Sequence, residues 1–388
     1  MNRRGHLEAI WRAGMEACLP ERVLAPHLPE PPPGRTILLA LGKAAVPMAR
    51  SVEARWRGDL SGLAVAPHGS AGALDRVEFL PAAHPLPDES SVAAAERLLA
   101  LAKGAGAEDL VLVLLSGGAS SLACLPGEGL GLAEKRRLTS DLLRSGASVR
   151  EINCVRRHLS RFKGGRLALA AAPARLATLA ISDVVGDSAE DIGSGPTAAD
   201  PSGLGEARAI LELYAIAAPG RGWSETPDEV PGDWRLVANA ALALDSAAKE
   251  ARRLGYRVHK LECEGEAREV GREHAGLALR AGPGTALISG GELTVTVRGR
   301  GRGGPNQEYA LAAALALAGG EGISGLAADT DGIDGDSEAA GAFFGGGAPG
   351  GEAALAANDS GGWFAEQGGL FVTGPTGTNV SDLRILLT

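Results

Sequence analysis

Ser116-Gly117-Gly118-Ala119-Ser120-Ser121 stands directly behind the apolar run Leu112–Leu115. Glycines after a buried strand let backbone N–H groups turn toward one point, and a following helix adds partial positive charge, so the loop can hold an anion. It carries neither the GxxxxGK of a Walker A loop nor GxGxxG. A serine-hydrolase elbow needs GxSxG, and Gly118-Ala119-Ser120-Ser121-Leu122 has leucine where the last glycine belongs. A phosphate cradle remains, with Ser116, Gly117, Gly118 and Ser120 as its contacts.

A cradle needs cations. Lys43, in LALGKAAVPMA, lies between an apolar run and a helical segment and is one of six lysines. There it either neutralises phosphate as a point charge or is solvated at an edge. The densest cationic stretch is Arg150–Ala168, REINCVRRHLSRFKGGRLA. Placed on a helix, Ile152, Val155, Leu159 and Phe162 form an apolar stripe. Arg156 and Lys163 border that stripe and could reach a cleft as binding cations; Arg157 and Arg161 point to solvent, and Gly164-Gly165 ends or kinks the helix.

Carboxylates gather in ISDVVGD (Asp183, Asp187) and ADTDGIDGDSE (Asp329, Asp331, Asp334, Asp336). Beside a phosphate site they suggest Mg²⁺, which usually takes one or two carboxylates. Asp183 and Asp187 are the metal candidates, Asp183 is also a candidate to orient a reacting hydroxyl, and Asp331 is a binding candidate. An EF-hand is excluded, because from Asp329 the acids fall at the first, third and sixth positions. The other reading of any one of these aspartates is an Asx turn or a helix cap.

VRGRGRGGPNQEYALAAALAL reads as a flexible cationic loop entering a helix near Asn306. Arg302 could reach an anion from it, and Asn306 and Gln307 could cap the helix or bind ligand. Ser194 and Thr197 in DIGSGPT and Glu292 in SGGEL belong to further small-residue loops that could line the same site.

These loops need a scaffold. TILLALGK, LVLLSGG, LATLAISD, TALISGG and ISGLAADTD are apolar runs ending in loops and alternating with helical segments, the pattern of a mostly parallel sheet covered on both faces. With 388 residues, two domains are expected. The aperiodic AAPGRGWSETPDEVPGDW (Ala217–Trp234) is the best linker and places the division at 1–230 and 231–388. The first-half LLSGGASSL and the second-half LISGGELTV echo each other, either as facing walls of one cleft or as a convenient way to end a strand.

A net charge of −9 with both signs scattered excludes a sequence-independent grip on nucleic acid, and a small-molecule partner is favoured. No uncharged stretch reaches the ~20 residues of a membrane helix, and the N-terminus lacks a signal-peptide pattern, so no membrane partner and a cytoplasmic location are expected. Homo-oligomerisation stays open. The four cysteines are far apart with no CxxC pair, which indicates neither zinc nor a disulfide framework.

LLSGGASSL, REINCVRRHLSRFKGGRLA, ISDVVGDSAEDIGSGPT, SGGELTVTVRGRGRGGPNQE, DTDGIDG and TGPTGTNVSDLR follow, in order, the signature blocks of class II glycerate kinases. The resemblance runs from about Gly42 to Leu386. It implies ATP- and Mg²⁺-dependent phosphorylation of D-glycerate at its 2-hydroxyl, and two α/β domains, the larger Rossmann-like, with the active site between them. The family's essential lysine matches Lys43, and its second-domain arginine matches Arg302, although many relatives carry another arginine where this chain has Pro305. Older names of relatives include hydroxypyruvate reductase. That NAD(P)H-dependent rival predicts a GxGxxG turn after the first strand, where this chain has LGKAA.

Overall fold

The structure, a computed structural model, describes every residue except 1, 2, 71, 262, 319 and 321. It contains two compact units, Pro20–Val237 and Met1–Leu19 with Ala238–Thr388.

The Pro20–Val237 unit is built on β1 (Thr36–Leu41), β2 (Leu60–Pro67), β3 (Glu78–Ala82), β4 (Leu110–Leu115), β5 (Arg175–Ile181) and β6 (Asp233–Ala238). Their order is β3-β2-β1-β4-β5-β6, and every pair from β3 through β5 is parallel. This is the doubly wound, Rossmann-type order. β1 and β4 are buried at every position, because alternate side chains point to opposite faces and both faces are covered. Ile37, Leu39, Leu41, Val111, Val113 and Leu115 share one core with Leu98, Phe162 and Leu167. Each such side chain contributes about 1.5–3 kcal/mol by leaving water.

The second unit carries β7 (Arg257–Leu261), β8 (Thr285–Gly290), β9 (Ser324–Asp329), β10 (Gly341–Gly345), β11 (Leu370–Phe371) and β12 (Asp382–Leu387), in the order β11-β10-β9-β12-β8-β7. Here β7 and β8 pair in parallel, whereas β8–β12, β12–β9, β9–β10 and β10–β11 are antiparallel. The parallel expectation fails for this sheet. An apolar-throughout strand reports burial of both its faces, not its direction, and β12 returns to insert between β8 and β9.

The division also differs from 1–230 and 231–388. The helix Arg3–Ala17 buries Leu7, Ile10, Trp11 and Met15 against Ala247, Ile288, Leu326 and Ile385, and Trp11 Nε1 donates to the Ala328 carbonyl at 3.3 Å. The N-terminal helix therefore belongs to the second unit, and β6 carries the first unit's sheet on to Val237. Ala217–Trp234 is no free linker: Ser224 N donates to His158 O at 3.0 Å and Asp200 N to Pro227 O at 3.1 Å. Its aperiodicity reflects backbone held by individual contacts. All four cysteines are free thiols, with Cys18, Cys124 and Cys154 buried. Among the described residues no helix is long and apolar enough to cross a membrane.

Candidate functional site

In a doubly wound sheet the crevice lies beyond the carboxyl ends of the strands where the order reverses, here β1 and β4. Leu41 and Leu115 are register partners, so Gly42-Lys43 and Ser116-Gly117-Gly118 leave the sheet side by side. Lys43 N donates to Gly117 O at 2.8 Å and Ser116 N to Leu41 O at 3.0 Å. The buried Ser116 hydroxyl accepts from Ala44 N at 3.0 Å, which makes it a tie between the loops rather than a ligand contact. A Cβ on Gly42, at φ +134°, would collide with that hydroxyl, so glycine is required for the loops to meet.

The amides of Gly117 and Gly118 donate to no acceptor among the described residues. Gly118 has φ +81°, and a Cβ there would stand 2.9 Å from the His84 ring and 3.4 Å from Lys43 Cγ. Two open N–H groups beside a lysine side chain form a donor set suited to an anion. The helix behind them, Ala119–Leu122, has only 4 residues. The loop backbone therefore supplies the donors, and a helix dipole adds little.

Beneath the loop runs a polar chain. Lys163 is fully buried, and its Nζ donates to Ser120 O at 2.6 Å, Ser120 Oγ at 3.1 Å and Ala123 O at 3.1 Å. Burial first, and the Arg156 charge second, push its ammonium well below the usual lysine range. Ser120 Oγ meets Ser194 Oγ at 2.7 Å, Ser194 Oγ donates to Asn153 Oδ1 at 3.0 Å, and Asn153 Nδ2 donates to Asp191 Oδ1 at 3.1 Å. Thr197 Oγ1 accepts from Thr178 Oγ1 at 3.0 Å. Lys163, Ser120, Ser194 and Thr197 thus turn their polar atoms inward and brace the loop from behind, in place of the ligand contacts expected of them.

The misplacement of Lys163 has a local cause. The helix Val149–His158 stops at Leu159, where Ser160 bridges Pro126 and Lys135 Nζ takes the Leu159 carbonyl at 2.6 Å. Helical phase extrapolated past that break puts Lys163 at a border it does not occupy. Arg157, expected in solvent, is 1 % exposed and lies 2.8 Å from Asp200 and 3.1 Å from Asp191, because the segment after β5 covers that helix face. Arg161 is exposed, as expected. Arg156 is half-buried, its guanidinium donates to no acceptor among the described residues, and burial lowers its pKa. It remains a cation able to take a carboxylate.

Asp183 and Asp187 follow β5, the neighbour of β4. Both are half-buried, and Asp187 sits at φ +55°. No group of three His, Cys, Asp or Glu suited to a metal occurs among the described residues. A Mg²⁺ held mainly by phosphate oxygens and water needs one or two carboxylates, and a carboxylate at the sheet end beside the Gly117-Gly118 loop meets that need.

In the second unit the acids have other work. Asp334 Oδ1 accepts from Asn306 N at 3.0 Å and Oδ2 from Gln307 N at 2.8 Å, capping the helix Pro305–Ala316. Asp336 Oδ1 takes Gly303 N at 2.9 Å, Asp359 Oδ1 takes Arg302 N at 2.9 Å, and Asn358 Oδ1 takes Arg298 N at 2.7 Å. The Arg302 loop, expected to be flexible, is fastened along its backbone while the Arg302 side chain stays exposed. Asp331 Oδ1 accepts from Ile333 N at 2.8 Å, an Asx turn. Asn306 is fully buried and gives Nδ2 to Asp382 Oδ1 at 2.6 Å. Its place is inside the protein, so it is a support for the helix entrance. Glu292 is exposed past β8. The echo loop differs from its counterpart: Ser289 and Gly290 stay in β8, with Gly290 opposite Leu383 of β12.

Burial, with the Asp382 charge second, raises the Asp334 carboxyl to about 7. The unfolded chain, whose carboxyl titrates near about 4, gives up this proton first. Asp334 therefore supports the fold fully below about pH 4 and progressively less as pH rises through 7. In Asp334→Asn, urea unfolding at several pH values should show lower stability throughout, since an amide N–H would face the Gln307 N–H, and a reduced loss of stability between those limits.

In each unit some placements had not been expected from the sequence. His84 lies against Gly118 with no spacing signal to announce it. Asp382 and Arg384 are buried and ion-paired to each other, and Arg384 Nη1 also reaches Gly291 O at 2.8 Å. Their signal was available: two opposite charges two apart in the apolar strand DLRILL share one face.

Residues 6–221 match a family described as a domain of unknown function, DUF4147, and residues 285–382 match the MOFRL family. A D-glycerate 2-kinase of Thermotoga maritima is 40% identical, covering 97% of this chain and 96% of its own. An Agrobacterium vitis protein bearing a provisional hydroxypyruvate reductase name is 44% identical, covering 98% of this chain and 93% of its own. The crystal structure of a glycerate kinase from Thermotoga maritima matches with a TM-score of 0.89 at 39% identity, covering 99% of both chains.

Proposed function

The chain belongs to the class II glycerate kinase family, and we propose that it transfers the terminal phosphoryl group of ATP to the 2-hydroxyl of D-glycerate. The observation that carries this reading is the pair of open amides at Gly117 and Gly118 beside Lys43, at the point where the sheet order reverses. Phosphoryl transfer asks mainly for positioning and charge neutralisation, which a site of loop amides and cations can provide.

In this reading the ATP phosphates rest on the Gly117 and Gly118 amides with the Lys43 ammonium alongside. Asp183 or Asp187 would hold Mg²⁺, which supplies charge neutralisation to the phosphates when bound. Arg156 pairs with the carboxylate of glycerate, a role no longer shared with Lys163. Asp183 orients the 2-hydroxyl and accepts its proton as the new P–O bond forms and the bond to ADP breaks.

The reductase reading lacks its dinucleotide turn, since Lys43 stands where paired glycines would be needed. Purified protein supplied with ATP and D-glycerate should release ADP only when both glycerate and Mg²⁺ are present, and should leave NADH unchanged with hydroxypyruvate. NADH oxidation without ADP release would replace this reading with the reductase.

A further inference from the structure

His84 is the group at this site for which no role has been assigned. It follows β3, which is separated from β4 by β2 and β1 in the sheet order. Yet its ring closes on the β4 loop: a Cβ built on Gly118 would lie 2.9 Å from both Cδ2 and Nε2 of His84, and 3.4 Å from Lys43 Cγ. The carboxyl ends of β1, β3 and β4 thus converge on one glycine, and the Nε2 edge of the imidazole faces it.

His84 is exposed, so the contact removes little apolar surface from water, and apolar area is what packing would convert to stability. The structure also keeps position 118 free of a side chain twice over, through φ +81° and through the ring. The neighbouring groups that face the same point are two N–H donors and a lysine, a set that recognises negative charge. An imidazole nitrogen stands beside that point, and in the tautomer that carries the proton on Nε2 it extends the set by one donor.

We propose that His84 is a catalytic residue that contacts the nucleotide: Nε2–H donates to a phosphate oxygen held on the Gly117 and Gly118 amides, next to Lys43. The proposal rests on the ATP-dependent reading above and adds to it the group that reads the phosphate from the β3 side.

His84→Ala and His84→Gln test it, because glutamine keeps an N–H donor at similar reach. In the alanine variant kcat/KM for ATP should fall by about 10²-fold, the scale of one lost transition-state donor. KM for glycerate should stay within about twofold, since His84 is assigned to the nucleotide alone. The glutamine variant should recover at least about a tenth of wild-type kcat/KM, and the melting temperatures of all three should agree. Wild-type kinetics in His84→Ala would overturn the assignment. So would equal losses in both variants toward both substrates together with a lowered melting temperature, the mark of a structural residue. Calorimetric titration with ADP separates this proposal from the kinase reading. If wild-type protein turns over no glycerate but binds ADP, His84→Ala should bind it more weakly; equal binding, or no ADP binding by the wild type, overturns the His84 contact.

Discussion

Lys43→Ala should lower kcat by about 10³-fold or more while leaving the thermal midpoint within a few degrees of wild type. The loop that carries Lys43 is fastened by its backbone, through Lys43 N to Gly117 O at 2.8 Å and Ala44 N to the Ser116 hydroxyl at 3.0 Å. Removing the side chain leaves those ties in place. The side-chain charge beside Gly118 goes, at the place where the proposed reaction would gather triphosphate charge in its transition state. Lys43→Arg should recover little, because a planar guanidinium cannot take the position of a compact ammonium beside a glycine. Steady-state kinetics with a parallel melt checks both. Near-wild-type turnover in Lys43→Ala would remove this lysine from the mechanism.

Asp200→Asn should be the most destabilising conservative change in the first unit, at about 3–5 kcal/mol by urea unfolding. Arg157 and Asp200 are both buried, with Arg157 Nε 2.8 Å from Asp200 Oδ2. Taking the charge from one strands the other in a medium that solvates it poorly. Replacing both, as Arg157→Met with Asp200→Leu, should cost less than either single change, since no charge is then left unpaired. Asp200 also has a pH signature opposite to that of Asp334. Burial raises its carboxyl, but the Ser202 hydroxyl and the Arg157 guanidinium more than offset this and hold it below its usual value. Its contribution is present above about pH 4 and is lost as pH falls through the depressed folded value. Activity should suffer along with stability, because Arg157 and Asp191 anchor the segment whose Ser194 hydroxyl touches Ser120 in the loop. An unfolding free energy unchanged in Asp200→Asn would mean that the pair carries no net weight.

Much of the first unit was legible because its signals are local. LALGK and LVLLSGG each show an apolar run ending in a small-residue loop, and parallel pairing of β1 with β4 brings the two loops together. The roles of individual polar side chains were less legible. Lys163 and Arg157 are both buried, against expectation: the helix break at Leu159 and the burying segment after β5 are tertiary events with no trace in helical periodicity. The aspartates of DTDGIDGD were open to a ligand role or to Asx turns and caps, and Asp334 and Asp336 accept from backbone amides at positions 303 to 307, far away in sequence. The N-terminal helix joined the second unit because its apolar stripe of Leu7, Ile10, Trp11 and Met15 found its complement there. An amphipathic stripe says that a partner exists without saying which one.

The most direct test of the whole reading is the chemical position of the new phosphate. D-glycerate, ATP and Mg²⁺ are incubated with the protein, and the product is examined by proton-coupled phosphorus NMR. A phosphate ester at the 2-position neighbours a single C–H proton and gives a doublet, which is the expected signal. A triplet, from an ester on the terminal CH₂, would contradict the 2-position, and no new ester signal at all would contradict the kinase assignment itself.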